Sequence, residues 1–154
     1  MNTLRSSIAA VLLAMASAGL PNAAAWADDV PQIRRSGDID FVSGGISEEE
    51  RAGMNGLARD FNLKLVFATK GGAYLSDTDV VVANGRGQPV LEAKSDGPWF
   101  FARLPGGQYQ VKVSSNGRSF SRSVAVGPRG LRTLDFRWDS LEGPRTQSHG
   151  LQLK

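Results

Sequence analysis

From residue 62 onward the apolar positions of the chain fall on alternate residues. Leu63, Leu65 and Phe67 share one parity while Lys64 and Val66 take the other, which is the period of a strand with one buried face. Similar short runs return at 78–84, 89–94, 98–103, 109–115, 118–126 and 131–138. Between them stand Gly71-Gly72, Asn84-Gly85-Arg86-Gly87, Ser95-Asp96-Gly97, Pro105-Gly106-Gly107, Asn116-Gly117 and Gly127-Pro128-Arg129-Gly130. Seven short strands punctuated by turn formers predict an antiparallel β-sandwich. Asn116-Gly117 is the firmest hairpin signal, because both residues tolerate the positive φ of a type I′ turn. Alternation also assigns Val80, Val82, Val90, Trp99, Phe101, Leu104, Tyr109, Val111, Val113, Phe120, Val124, Val126, Leu134, Phe136 and Trp138 to the inward face. That set is enough for a small core.

Ahead of the strands the period is helical. Ser47 and Glu50 have the spacing of a capping box, and three carboxylates at Glu48, Glu49 and Glu50 suit the positive end of a helix. Met54, Leu57, Ala58 and Phe61 recur at spacings of three and four, so a helix with one packing stripe is expected over 47–61. Gly53 and Gly56 each weaken it by about 1 kcal/mol relative to alanine, which makes it dependent on docking. Residues 28–46 read as an extended leader anchored by Phe41-Val42, and 140–154 as a polar tail.

The first 27 residues have the pattern of a secretion signal. Arg5 precedes an apolar run from Ile8 to Leu20, and Ala25-Trp26-Ala27 ends the segment. The run is about 13 residues, short of the roughly 20 needed to cross a bilayer. Cleavage is expected near Ala27, with Ala25 as the alternative, and no later segment of the sequence reaches membrane-spanning length.

Composition narrows the chemistry. The 154 residues include no cysteine and one histidine, His149, in the tail, which leaves no thiol chemistry and no multi-histidine metal site. No cofactor is expected. The net charge is only +3 and no basic run is present, so nucleic acid is not an expected partner. Charge is nonetheless uneven, because residues 97–154 hold nine basic and three acidic side chains. Arg118, Arg129 and Arg137, with Arg122 and Arg132, fall on the last two strands and their connection. They form a candidate basic edge for a carboxylate-, phosphate- or sulfate-bearing partner, the alternative being a solvated edge that discourages strand pairing. In Trp99-Phe100-Phe101, Phe100 takes the opposite parity from its neighbours. It is a candidate binding anchor, or else packs under the helix. Asp77 and Asp79 lack the spacing of a calcium loop and read as turn residues.

The segment Asp96-Gly97-Pro98-Trp99-Phe100-Phe101-Ala102-Arg103-Leu104-Pro105-Gly106-Gly107-Gln108-Tyr109-Gln110-Val111-Lys112-Val113, with Asn116-Gly117 and Leu134-Asp135-Phe136, resembles the carboxypeptidase regulatory-like domains. The resemblance covers residues 62–138. It implies a seven-stranded transthyretin-like (prealbumin-like) β-sandwich in which this segment forms a central hairpin. The preceding Gly44-to-Arg51 stretch looks like that of small exported proteobacterial proteins carrying the same domain, which implies a periplasmic location. The resemblance touches only the noncatalytic module of the zinc carboxypeptidases. The transthyretin-like hydrolase of 5-hydroxyisourate ends in Tyr-Arg-Gly-Ser, whereas this chain ends Gly150-Leu151-Gln152-Leu153-Lys154. The expected role is that of a noncatalytic exported binding or interaction module, with an envelope protein or an anionic ligand as partner. The alternatives are an assembly subunit that uses a strand edge, or a hydrolase built on carboxylates.

Overall fold

The computed structural model describes residues 31–139. The expected signal, the start of the leader and the tail with His149 lie outside the described residues. Among those described, the chain is mainly β. The first strands are β1 (Arg34–Ser36) and β2 (Ile39–Gly44), followed by the helix α1 (Glu48–Leu57) and a 3-10 turn, Ala58–Asp60. Then come β3 (Leu63–Thr69), β4 (Asp79–Asn84), β5 (Pro89–Lys94), β6 (Trp99–Arg103), β7 (Gly107–Ser115), β8 (Arg118–Val126) and β9 (Arg132–Trp138). They form one sheet of order β1-β2-β6-β3-β9 and another of order β5-β4-β7-β8. Side chains from both sheets make one buried cluster between them, the arrangement of two facing layers. No helix among the described residues is long and apolar enough to cross a membrane.

All seven strands anticipated from the alternation are present, and two more precede them in the stretch read as an extended leader. β2 escapes a search for alternation because both its faces are covered. Ile39 and Phe41 enter the main core, while Val42 lies against the helix. β1 and β2 meet at Gly37-Asp38, with Gly37 at φ 58°, the first turn position that type II′ hairpins give to glycine. The Asn116-Gly117 turn has both residues at positive φ, 49° and 75°, as the type I′ expectation requires. The sandwich is not wholly antiparallel, because β9 runs parallel to β3 with Leu63 opposite Arg132 and Thr69 opposite Trp138. The segment expected to form a central hairpin does not do so. β6 belongs to the five-stranded sheet and β7 to the other, so residues 104–106 carry the chain across the sandwich.

The parity of β6 is also reversed from the sequence reading. Phe100 faces the sandwich interior at 0% exposure and stacks on Phe41 with ring centroids 5.1 Å apart. Trp99 and Phe101 instead point to the outer face, where Phe101 joins Val42, Met54 and Phe61 in a second cluster beneath α1. A strand covered on both sides has no polar face by which to choose its parity. In β5 a register shift sets Ala83 opposite Pro89 and Val82 opposite Leu91. Leu91 is therefore the buried residue, and Val90 is only half-buried. The helix also stops short of the expected 61, tightening into the 3-10 turn at Ala58.

The N-terminus of α1 follows the sequence closely. The Ser47 hydroxyl accepts from the Glu50 amide at 3.0 Å, and the Glu50 carboxylate reaches back to the Ile46 amide at 2.8 Å. Two otherwise orphaned donors are thus satisfied by one box, displaced by a single residue from its usual return bond.

Candidate functional site

The register places five connections at one end of the sandwich. These are the β1–β2 turn, the 3-10 turn leading into β3, the β4–β5 turn, the β6–β7 crossing and the β8–β9 loop. Loops carried by a rigid pair of sheets are where such folds hold their binding residues. A cleft of about 730 Å³ lies here, between the 3-10 turn and the β8–β9 loop. Arg59, Arg103 and Arg129 line it with Asp60, and Phe61, Pro128 and Leu131 supply apolar surface.

Asn62 fixes the cleft from below. It is 5% exposed, and its side-chain amide donates to the Leu104 carbonyl at 2.7 Å and to the Gly127 carbonyl at 3.0 Å. Its side-chain oxygen accepts from the Leu104 amide at 2.8 Å. Its own carbonyl accepts from the Arg132 amide at 2.9 Å. One buried, fully engaged amide therefore ties the start of β3 to the sheet crossing and to the β8–β9 loop.

The three arginines are held differently. Arg103 donates to the Asp60 carbonyl at 2.6 Å, lies 3.8 Å from Asp40 and stands with its guanidinium 5.6 Å from the Phe61 ring centre. It is a fixed part of the wall. Asp40 is shared with Arg35, whose guanidinium donates at 2.7 Å and holds the carboxyl below the usual carboxylate range. Arg59 and Arg129 are exposed, and neither makes an ion pair among the described residues. Their guanidiniums are thus available as planar two-pronged donors to an oxyanion.

Of the residues singled out from sequence, only Arg129 belongs to this cleft. Arg118 begins β8, roughly 25 Å from its far end, and is paired with Asp139 at 3.0 Å. Arg137 is paired with Asp135 at 3.5 Å on β9. The expected basic edge therefore divides: Arg118 is drawn into ion pairing at the opposite end. Arg122 stands with its guanidinium 5.3 Å from the centre of the Phe136 ring, and Arg132 opens β9 beside the cleft. Phe100, being fully buried, offers nothing to a ligand. Arg59 and Arg103 carried no signal in the sequence, because what brings them to Arg129 is the pairing of β3 with both β6 and β9.

On the outer face, Lys64 lies 3.5 Å over the Trp99 ring and 5.3 Å from that of Phe101. Burial pushes its ammonium below the ordinary lysine range, against the pull of Asp135. Among the described residues no three acidic or histidine side chains gather in a form that could hold a metal ion. No family model matches the chain, and no curated protein matches it.

Proposed function

We propose that the chain is an exported, periplasmic, noncatalytic binding module of the transthyretin-like, carboxypeptidase regulatory-like type, and that it holds an anionic partner in the cleft at the loop-bearing end. The observation that carries this reading is the pair Arg59 and Arg129, two guanidiniums without a carboxylate partner among the described residues, facing one cleft beside the fixed Arg103. The signal-like first 27 residues support export. The two facing sheets, of five and four strands, support the β-sandwich part of that reading.

The test is recovery of partners from an envelope extract on tagged protein, at low and high salt, for the wild type and for Arg59→Glu/Arg129→Glu. Exposed charges are each worth little to stability, so the double variant keeps the wild-type melting temperature. Recovery of the anionic partner falls at least tenfold in the variant and falls with salt in the wild type, because screening shortens to about 8 Å at physiological ionic strength. Equal recovery from both proteins would remove the cleft from consideration.

A second reading has its own observation. β8 pairs with β7 over nine residues without a register break, and among the described residues no strand pairs with its other side, which suits an assembly subunit that adds strands. Mass that rises with concentration would favour it.

A further inference from the structure

The cleft is one part of a wider basic surface. Among the described residues, the loop-bearing end holds six arginines, Arg35, Arg59, Arg86, Arg103, Arg129 and Arg132, against three aspartates, Asp38, Asp40 and Asp60. Asp40 is spent on Arg35 and Arg103. Arg59, Arg86, Arg129 and Arg132 make no ion pair among the described residues. These four do not converge on one point. They come from the 3-10 turn, the β4–β5 turn, the β8–β9 loop and the start of β9, a spread that fits a flat array of anions better than a single compact one.

The β8–β9 loop adds a second feature. Its sequence Gly127-Pro128-Arg129-Gly130-Leu131-Arg132 sets an apolar side chain between two arginines. Leu131 is 36% exposed, and Gly130 turns the chain just before it at φ 87°. A leucine held at the loop-bearing end and flanked by cations is the arrangement that inserts between lipid headgroups, the cations meeting phosphates while the side chain enters the acyl boundary. An acidic polypeptide would engage the arginines but has no need of the leucine.

We infer that this end of the molecule docks on an anionic phospholipid surface, with lipid phosphates at Arg59 and Arg129 and Leu131 inserted between headgroups. The inference rests on the reading of the cleft as an anion site and names the source of the anion.

The experiment is co-sedimentation of the processed protein, purified from the envelope, with vesicles of phosphatidylcholine alone or containing about a quarter phosphatidylglycerol. Inorganic phosphate and polyglutamate serve as soluble probes, followed by chemical shifts of the arginine side chains. Binding is expected only to the anionic vesicles and declines with salt. Each of Arg59→Gln and Arg129→Gln lowers the partition coefficient roughly fivefold. Leu131→Ser lowers it about tenfold. Equal partitioning onto both vesicle types, or full partitioning of Leu131→Ser, overturns the proposal. Phosphate shifts at Arg59 and Arg129 without vesicle binding overturn the lipid assignment and leave the anion cleft standing. Capture of polyglutamate without vesicle binding assigns the end to an acidic protein segment instead. Loss of every response, with wild-type folding, overturns both readings.

Discussion

At the scale of single residues, Tyr109 shows how a side chain serves two masters. Its ring is 8% exposed within the core, and its hydroxyl donates to the Pro105 carbonyl at 2.6 Å, pinning the crossing between sheets to the strand that follows it. Tyr109→Ala removes both roles and costs roughly 3–5 kcal/mol. Tyr109→Phe removes only the hydrogen bond and costs about 1 kcal/mol. Thermal melts of the two variants check the ratio. Burial raises the phenol above its ordinary range, so the folded state favours the protonated ring. The stability this confers is complete below the unfolded pKa and is lost as pH rises through the folded one. The Tyr109→Phe melting temperature therefore falls less than that of the wild type between neutral and strongly alkaline pH. The inward placement of Tyr109, Val111 and Val113 was legible because that strand has one wet face, visible as exposed Gln108, Gln110 and Lys112. Phe100 was misplaced because its strand is covered on both sides, and a Trp-Phe-Phe run contains no information about which cover is the core.

At the scale of elements, the sequence signals were clear wherever a single local rule decided the outcome. The strands from β3 to β9, the Ser47–Glu50 box and the Asn116-Gly117 turn all follow from such rules. The β1–β2 hairpin did not show because it is short and its second strand is covered on both faces. The cleft did not show because pairings between distant strands assemble it. Where β2 passes into α1 and meets the loop before β6, two glycines are required for different reasons. A side chain at Gly97 would stand 2.4 Å from the Gly44 carbonyl oxygen, a backbone atom that moves only if the strands part. A side chain at Gly44 would meet the Glu50 carboxylate, which can swing away at the expense of its bond to the Ile46 amide. Gly97→Ala therefore costs roughly 3 kcal/mol, and Gly44→Ala about 1 kcal/mol, the worth of a cap. Denaturant titration of the two variants gives the order directly; equal costs would mean that the junction yields more easily than its contacts indicate.

At the scale of the whole molecule, the two ends differ in sign. The loop-bearing end is rich in arginine, while the opposite end carries Glu48, Glu49 and Glu50 with Asp77, Asp79, Asp96 and Asp139 among the described residues. Three of those seven carboxylates are paired, Asp79 by Lys94, Asp96 by Arg34 and Asp139 by Lys70 and Arg118, so the molecule is polarised between four unpaired carboxylates at one end and the unpaired arginines at the other. The connectivity has a further effect, in time rather than in space. β3 is flanked by β6 and by β9, and its partners on β9 are about seventy residues further along the chain. Phe67 packs against Phe136 and Trp138, so two of those three rings are contributed by the last strand described. A chain emerges from a ribosome with its N-terminus first, and this one offers β4–β5 and β7–β8 as local hairpins early while the core waits for β9. A variant ending at residue 130 is expected to melt without cooperativity by near-ultraviolet circular dichroism, and the full chain to refold in milliseconds to seconds, as non-local sheets do. A polypeptide that stays loose until its last strand arrives is one that a translocation channel can still thread.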